Sequence, residues 1–105
     1  MPKNAYLVQI LLPLRDNAGG PFGQEDFEKV AAELTKEFGG ATAFVQAPAE
    51  GLWEKGEGAQ RDEVIIVETM AEALDERWWI NYRETLEKRF RQGSIIVRGQ
   101  AIKIL

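Results

Sequence analysis

At 105 residues, with 13 basic and 17 acidic side chains, the chain carries a net charge of −4 and has the length of one domain, 1–105, around a single core. An acidic balance without a basic stripe argues against nucleic acid, whose binding runs on cationic side chains meeting phosphates. Cysteine and histidine are both absent, which removes disulfides, thiolate chemistry, Ser-His and Cys-His dyads and the usual zinc and copper ligands, and no Asp/Glu run has calcium-loop spacing, so neither a metal nor a cofactor is expected.

Hydrophobic residues make up 45% of the chain, as in an ordinary folded domain. No apolar run approaches the ~18 residues that span a bilayer, so no membrane partner is expected. The opening MPKNAYLVQILLPLRDN alternates as a strand should, contains Gln9, and lacks a small-residue cleavage site before Arg15. It is therefore read as structure rather than as a secretion signal, and a cytoplasmic location is the expectation.

Residues 5–14, 24–38 and 41–47 read as strand, helix, strand, and residues 62–69, 70–91 and 94–104 repeat that order. The first strand sets Tyr6, Val8, Ile10, Leu12 and Leu14 on one face against Leu7, Gln9 and Leu11 on the other. The third is apolar on both faces too, through Val64, Ile65, Ile66 and Val67, and such strands belong in the middle of a sheet. The second strand divides Ala41, Ala43, Val45 and Ala47 from Thr42, Phe44 and Gln46, which suits an edge. In the last strand Ile95 and Val97 share a face, but Ile102 and Ile104 fall out of phase with them. That slip predicts a β-bulge at Gly99.

The first helix carries Phe27, Val30, Ala31, Leu34 and Phe38 on one stripe. A Gly23 N-cap with a Phe22–Phe27 staple and Asp26 in the first turn opens it, and Gly39-Gly40 closes it. The second helix carries Trp79, Tyr82, Leu86 and Phe90, widened by Leu74 and Trp78, with Ile80 on the exposed side. Its start lies at Thr69, where Thr69 and Glu72 have capping-box spacing, or at Asp75; the residues leave both open. Glu84–Lys88 and Glu87–Arg91 are favourable pairs along it.

A βαββαβ string of this length implies an α+β domain of the ferredoxin-like kind: a four-stranded antiparallel sheet, order 4-1-3-2, with two helices on one face. The arrangement hosts many unrelated activities, so it does not name one. It does bring loops together. The Arg15–Gly23 loop, the start of the first helix, the end of the second helix with Arg89 and Arg91, and the long Pro48–Arg61 connection all meet at one end of the sheet. Arg15, Asp16, Asn17, Trp53 and Arg61 are accordingly the candidate site for a small-molecule ligand. Arg15 to Gly20, ahead of a helix, offers backbone N–H groups to an anion; the plainer reading is a solvated loop. Trp53 is either a ligand-facing lid in a Gly-punctuated loop or a plug at the end of the core. The Trp78-Trp79 pair reads as core filler. Gln9, Glu68 and Arg98 share the helix-free face in adjacent strands, as a hydrogen-bonded device in an interface or a proton-handling site.

The strings LLPLRDN, FGGATAF, PAEGLW, RDEV, LDERWW-NYR and LEKRFRQ, in this order, resemble a family of small uncharacterised bacterial proteins of similar length. The resemblance covers nearly the whole chain and implies a ferredoxin-like or dimeric α/β-barrel-like domain, with no defined activity or catalytic residue. This chain has Ala47 where that family often has Ser, and Arg15 where an aromatic is common.

Three functions follow as expectations. The first is a homodimer formed through the sheet face, since Leu7, Leu11, Val64 and Ile66 otherwise leave apolar surface in water, with a small ligand near the Arg15 and Trp53 loops. The second is a small enzyme of the dimeric α/β-barrel kind, an isomerase or cofactor-independent oxygenase, relying on Arg15, Asp16, Arg61, Glu68 or Tyr82. The third is a protein-interaction module using Ile80 and Trp53.

Overall fold

The computed structural model describes residues 1–46 and 64–105. Their elements are β1 (Lys3–Pro13), α1 (Gln24–Phe38), β2 (Thr42–Gln46), β3 (Val64–Ala71), α2 (Glu76–Arg89) and β4 (Ile96–Ile104). The strands form one antiparallel sheet in the order β2-β3-β1-β4, which is 4-1-3-2 counted from the other edge. Both helices lie on one face of it. Val8, Ile10 and Leu12 of β1 and Ile65 and Val67 of β3 share one buried core with Val30 and Leu34 of α1 and Trp79 and Leu86 of α2. This is the ferredoxin-like α+β fold.

Residue parity in β1 assigns the two faces. Val8 pairs with Thr69 and Gly99, and Ile10 with Val67 and Val97, all toward the helices. Gln9 pairs with Glu68 and Arg98, and Leu11 with Ile66 and Ile96, all toward the helix-free face.

The ends of α1 are as its sequence implies. Asp26 accepts the Gly23 N–H at 3.0 Å, and Phe22 meets Phe27 edge-on at 6.4 Å. Gly39 adopts a left-handed φ of 95° and donates to the Thr35 carbonyl. At the top of the core Phe90 is fully buried, 5.0 Å from Phe22 and 5.9 Å from Phe27.

Of the two possible starts of α2, Asp75 is the one used: its carboxylate accepts the Trp78 N–H at 3.2 Å. Thr69 instead stays in β3, where it is buried and its hydroxyl donates to the Gly40 carbonyl. Ladder pairing of Val8 with Thr69 and Tyr6 with Ala71 outweighs the local capping pattern.

The expected bulge at Gly99 is absent. The β1–β4 ladder runs without a break from Lys3–Ile104 to Leu11–Ile96. The apolar phase changes because Val97 and the Ile102–Ile104 pair stand on opposite faces of β4. Val97 packs under the helices, whereas Ile102 and Ile104 belong to the helix-free face. Gly99 has another role: a Cβ there would lie 3.4 Å from Leu74, so its absence leaves room beneath the α2 entrance.

The far end of α2 also departs from expectation. Arg91 lies beyond the helix at a left-handed φ of 54°, with Gln92 donating to the Glu87 carbonyl and Arg91 to that of Lys88, as in a Schellman turn. Glu87 therefore faces Arg83 at 3.5 Å and the Ile95 N–H at 3.0 Å rather than Arg91.

Phe90→Ala should cost about 3–5 kcal/mol in urea unfolding, because the Phe22 and Phe27 rings lose a common partner. Asp75→Ala should cost about 1 kcal/mol by the same measurement.

Candidate functional site

Of the residues singled out at the end of the sheet, Arg15, Asp16, Asn17 and Arg91 come together, while Trp53 and Arg61 lie outside the described residues. The loop after β1 closes on itself. Asp16 accepts the Ala18 and Gly20 N–H groups at 2.9 and 2.8 Å, and its own N–H donates to the Gly20 carbonyl at 2.7 Å. Arg15 donates to the Gly19 carbonyl at 3.3 Å. These N–H groups, which an anion would need, are already turned toward a carboxylate. Asn17 donates to the Arg91 carbonyl at 3.2 Å, and the Arg91 guanidinium approaches Asp16 at 3.8 Å. The β1–α1 loop thus fastens the turn that ends α2.

The helix-free face is organised in rows across the strands. Phe44, Ile66, Leu11 and Ile96 form an apolar row. Beside it run Thr42, Glu68, Gln9 and Arg98, and beyond them Met70, Leu7 and Gln100. With strands about 4.8 Å apart, each four-strand row spans ~14 Å. In the polar row Arg98 Nε donates to Gln9 Oε1 at 2.9 Å, and Gln9 Nε2 donates to Glu68 Oε2 at 2.8 Å. The trio read from alternation is therefore a hydrogen-bonded chain. Among the described residues no donor reaches the other oxygen of Glu68. That carboxylate lines an open recess of about 490 Å³ with Leu7, Phe38, Gly40 and Met70. On the surrounding face Phe44, Met70, Ile96 and Ile104 are exposed, Ile96 at 56%, whereas Ile66, expected to leave apolar surface in water, is buried.

A second polar cluster escaped the sequence reading. Glu33 of α1 takes Arg89 of α2 at 2.9 and 3.0 Å, one oxygen per guanidinium nitrogen, and accepts the Tyr82 hydroxyl at 2.7 Å. Partial burial pulls the Glu33 carboxyl upward, but the Arg89 and Tyr82 hydrogen bonds and the Arg89 charge outweigh it and hold Glu33 below its ordinary 4.5. Burial first, and the bond to Glu33 second, raise the Tyr82 phenol well above its ordinary 10.0. The bond to Glu33 raises the Arg89 guanidinium further. The only sequence signal was positional: Tyr82, Leu86 and Arg89 at i, i+4, i+7 carry the apolar stripe into a cation. With both carboxylate oxygens engaged, the cluster is an interhelical clamp. Among the described residues, no helix is long and apolar enough to cross a membrane.

No family model and no curated protein matches the chain. Among solved structures it is similar to a phage SAM lyase in complex with S-methyl-5'-thioadenosine, with a TM-score of 0.58 and 17% sequence identity over 95% of this chain and 88% of that one. At that identity the likeness establishes the shared fold.

Glu33→Gln should cost about 1–2 kcal/mol at neutral pH, since it breaks a charged, partly exposed clamp. Because the folded value of Glu33 is lowered, its contribution is present above pH 4.5 and is lost as pH falls below it. The Tm gap between wild type and Glu33→Gln should therefore close in acid. Arg91→Gly should raise Tm: relief of a left-handed Cβ, about 1 kcal/mol, exceeds an exposed ion pair at 3.8 Å.

Proposed function

We propose that the chain is a small self-associating domain that mates through its helix-free sheet face and holds a small polar-headed ligand beside Glu68 at that interface. The observation that carries the reading is the Arg98–Gln9–Glu68 chain set in an exposed apolar face. Phe44, Met70, Ile96 and Ile104 are large apolar groups in water, and their burial supplies a driving force of roughly 25 cal/mol per Å². The polar row has a cation at one end and a carboxylate toward the other, so a two-fold operation makes it complementary to itself. The dimeric α/β-barrel arrangement implied by the motif resemblance accords with this occupant. The ligand is assigned to the Glu68 recess rather than to the Arg15 loop because that loop's N–H donors serve Asp16.

Light scattering should give a mass of at least two chains at micromolar concentration. Ile96→Asp, which places a charge in the apolar row on an exposed edge position, should return it to one chain with little change in helix content. A single-chain mass for the wild type rejects the reading.

A second reading is favoured by the geometry of Glu68, one oxygen of which is fixed by Gln9 while the recess lies beside it. A carboxylate positioned in this way can hold a cationic group or exchange a proton, and a lyase shares the fold. Incubation with SAM, with chromatography for S-methyl-5'-thioadenosine, tests it. Release by the wild type that is lost in Glu68→Gln supports an enzyme; no release removes SAM as the substrate.

A further inference from the structure

The sheet ends on one side in β4, whose outer edge pairs with nothing among the described residues. Its two edges differ. β2 offers five residues, whereas β4 offers nine, Ile96–Ile104, with neither a proline nor a bulge. Short length, proline, bulges and charge are the devices by which sheets usually close an edge. Of the two cations on β4, Arg98 is turned back along the sheet to Gln9, which leaves Lys103. Seven of the nine residues are exposed. At ~3.4 Å per residue, this edge presents about 30 Å of backbone with outward N–H and C=O groups.

We propose that β4 docks against the β4 of a second copy of this chain, antiparallel about a two-fold axis at Gln100, so that the two four-stranded sheets join into one. The strand's own sequence selects that register. A two-fold axis normal to the sheet keeps both helix layers on one side, so paired residues have like parity and the axis passes a residue. Centred on Arg98 or Lys103, the pairing sets two like charges directly opposite each other, which is destabilising. Centred on Gln100 it engages all nine residues, and centred on Gly99 or Ala101 only seven. In the Gln100 register the exposed Ile96 and Ile104 meet across the joint at both of its ends. Arg98 lays its aliphatic stem beside Ile102, and Lys103 meets Val97 rather than another cation. An antiparallel joint of this length supplies about eight to ten main-chain hydrogen bonds, the number that a standard protein interface carries. Each copy spends its long edge, so the edge pairing closes at two chains. It leaves the helix-free face open, so its fate does not depend on the face-mating reading.

The chain has no cysteine, so single introduced thiols read the register. The test oxidises full-length variants with glutathione disulfide at about 100 μM protein and follows covalent dimers by mass spectrometry. Gln100→Cys should link to itself at least about tenfold faster than Ile96→Cys, whose two copies stand ~27 Å apart in this register. Val97→Cys mixed with Lys103→Cys should give the mixed dimer, while neither links to itself. The two linked pairs sample both ladder spacings, ~4.5 and ~5.5 Å between Cα atoms, and both lie within disulfide reach. Val97 and Lys103 stand on the helix side of β4, which face mating does not bring together, so the mixed dimer tells the two associations apart. Gly99→Cys with Ala101→Cys repeats the helix-side test without removing a core side chain. Equal rates at Gln100 and Ile96 overturn the proposal, and so does linkage at Gln100 without either helix-side mixed dimer.

Discussion

Everything in this molecule hangs on the central strand β1, which is hydrogen-bonded along its length to β3 on one side and β4 on the other. A strand in that position shows its even residues to one layer and its odd residues to another, and it cannot shift by one residue without exchanging them. Val8, Ile10 and Leu12 fix the helix layer, and Leu7, Gln9 and Leu11 then define the other face. Once β1 is placed, Gln9 must stand between Glu68 and Arg98. The polar chain on the helix-free face is thus a consequence of register, and its neighbours in the apolar row are the cost of having a strand apolar on both sides.

What the sequence made legible follows from the same constraint. Strict alternation in β1 and β3, a clean apolar stripe in α1 and glycine at its exit are local signals, and local signals are enough for the sheet order and for the Gln9–Glu68–Arg98 juxtaposition. The misses are places where a tertiary contact overrode a local pattern. Thr69 and Glu72 have capping-box spacing, but the ladder with β1 keeps Thr69 in a strand. Ile102 and Ile104 are out of phase with Val97 because they stand on the helix-free side of β4 and Val97 on its helix side, and such a change of apolar face looks like a bulge when only the apolar pattern is visible. Arg91 gives no warning of its left-handed backbone, since glycine is the residue that ordinarily signals such a turn. The Glu33–Arg89 pair joins positions 56 residues apart on different helices, and no periodicity within either helix requires it. The proposed ligand site at the sheet end was legible only as a convergence of loops; that Asp16 occupies the loop's own N–H donors is a fact of its closed geometry.

Two carboxylates separate structure from available chemistry. Glu33 and Glu68 each sit half-buried beside an arginine-containing network, and composition does not tell them apart. Hydrogen-bond bookkeeping does. Glu33 spends one oxygen on Tyr82 and Arg89 together and the other on Arg89, so it has little capacity for a newcomer without breaking the clamp between its helices. Glu68 is held through one oxygen by an amide, and Arg98 reaches it only through that amide. A neutral intermediary orients the carboxylate without neutralising it. An incoming donor therefore meets, among the described residues, a Glu68 oxygen without a hydrogen bond, whereas at Glu33 it competes with a bidentate guanidinium. By that difference the Glu33 cluster holds α1 against α2, while the Glu68 carboxylate keeps an oxygen free among the described residues.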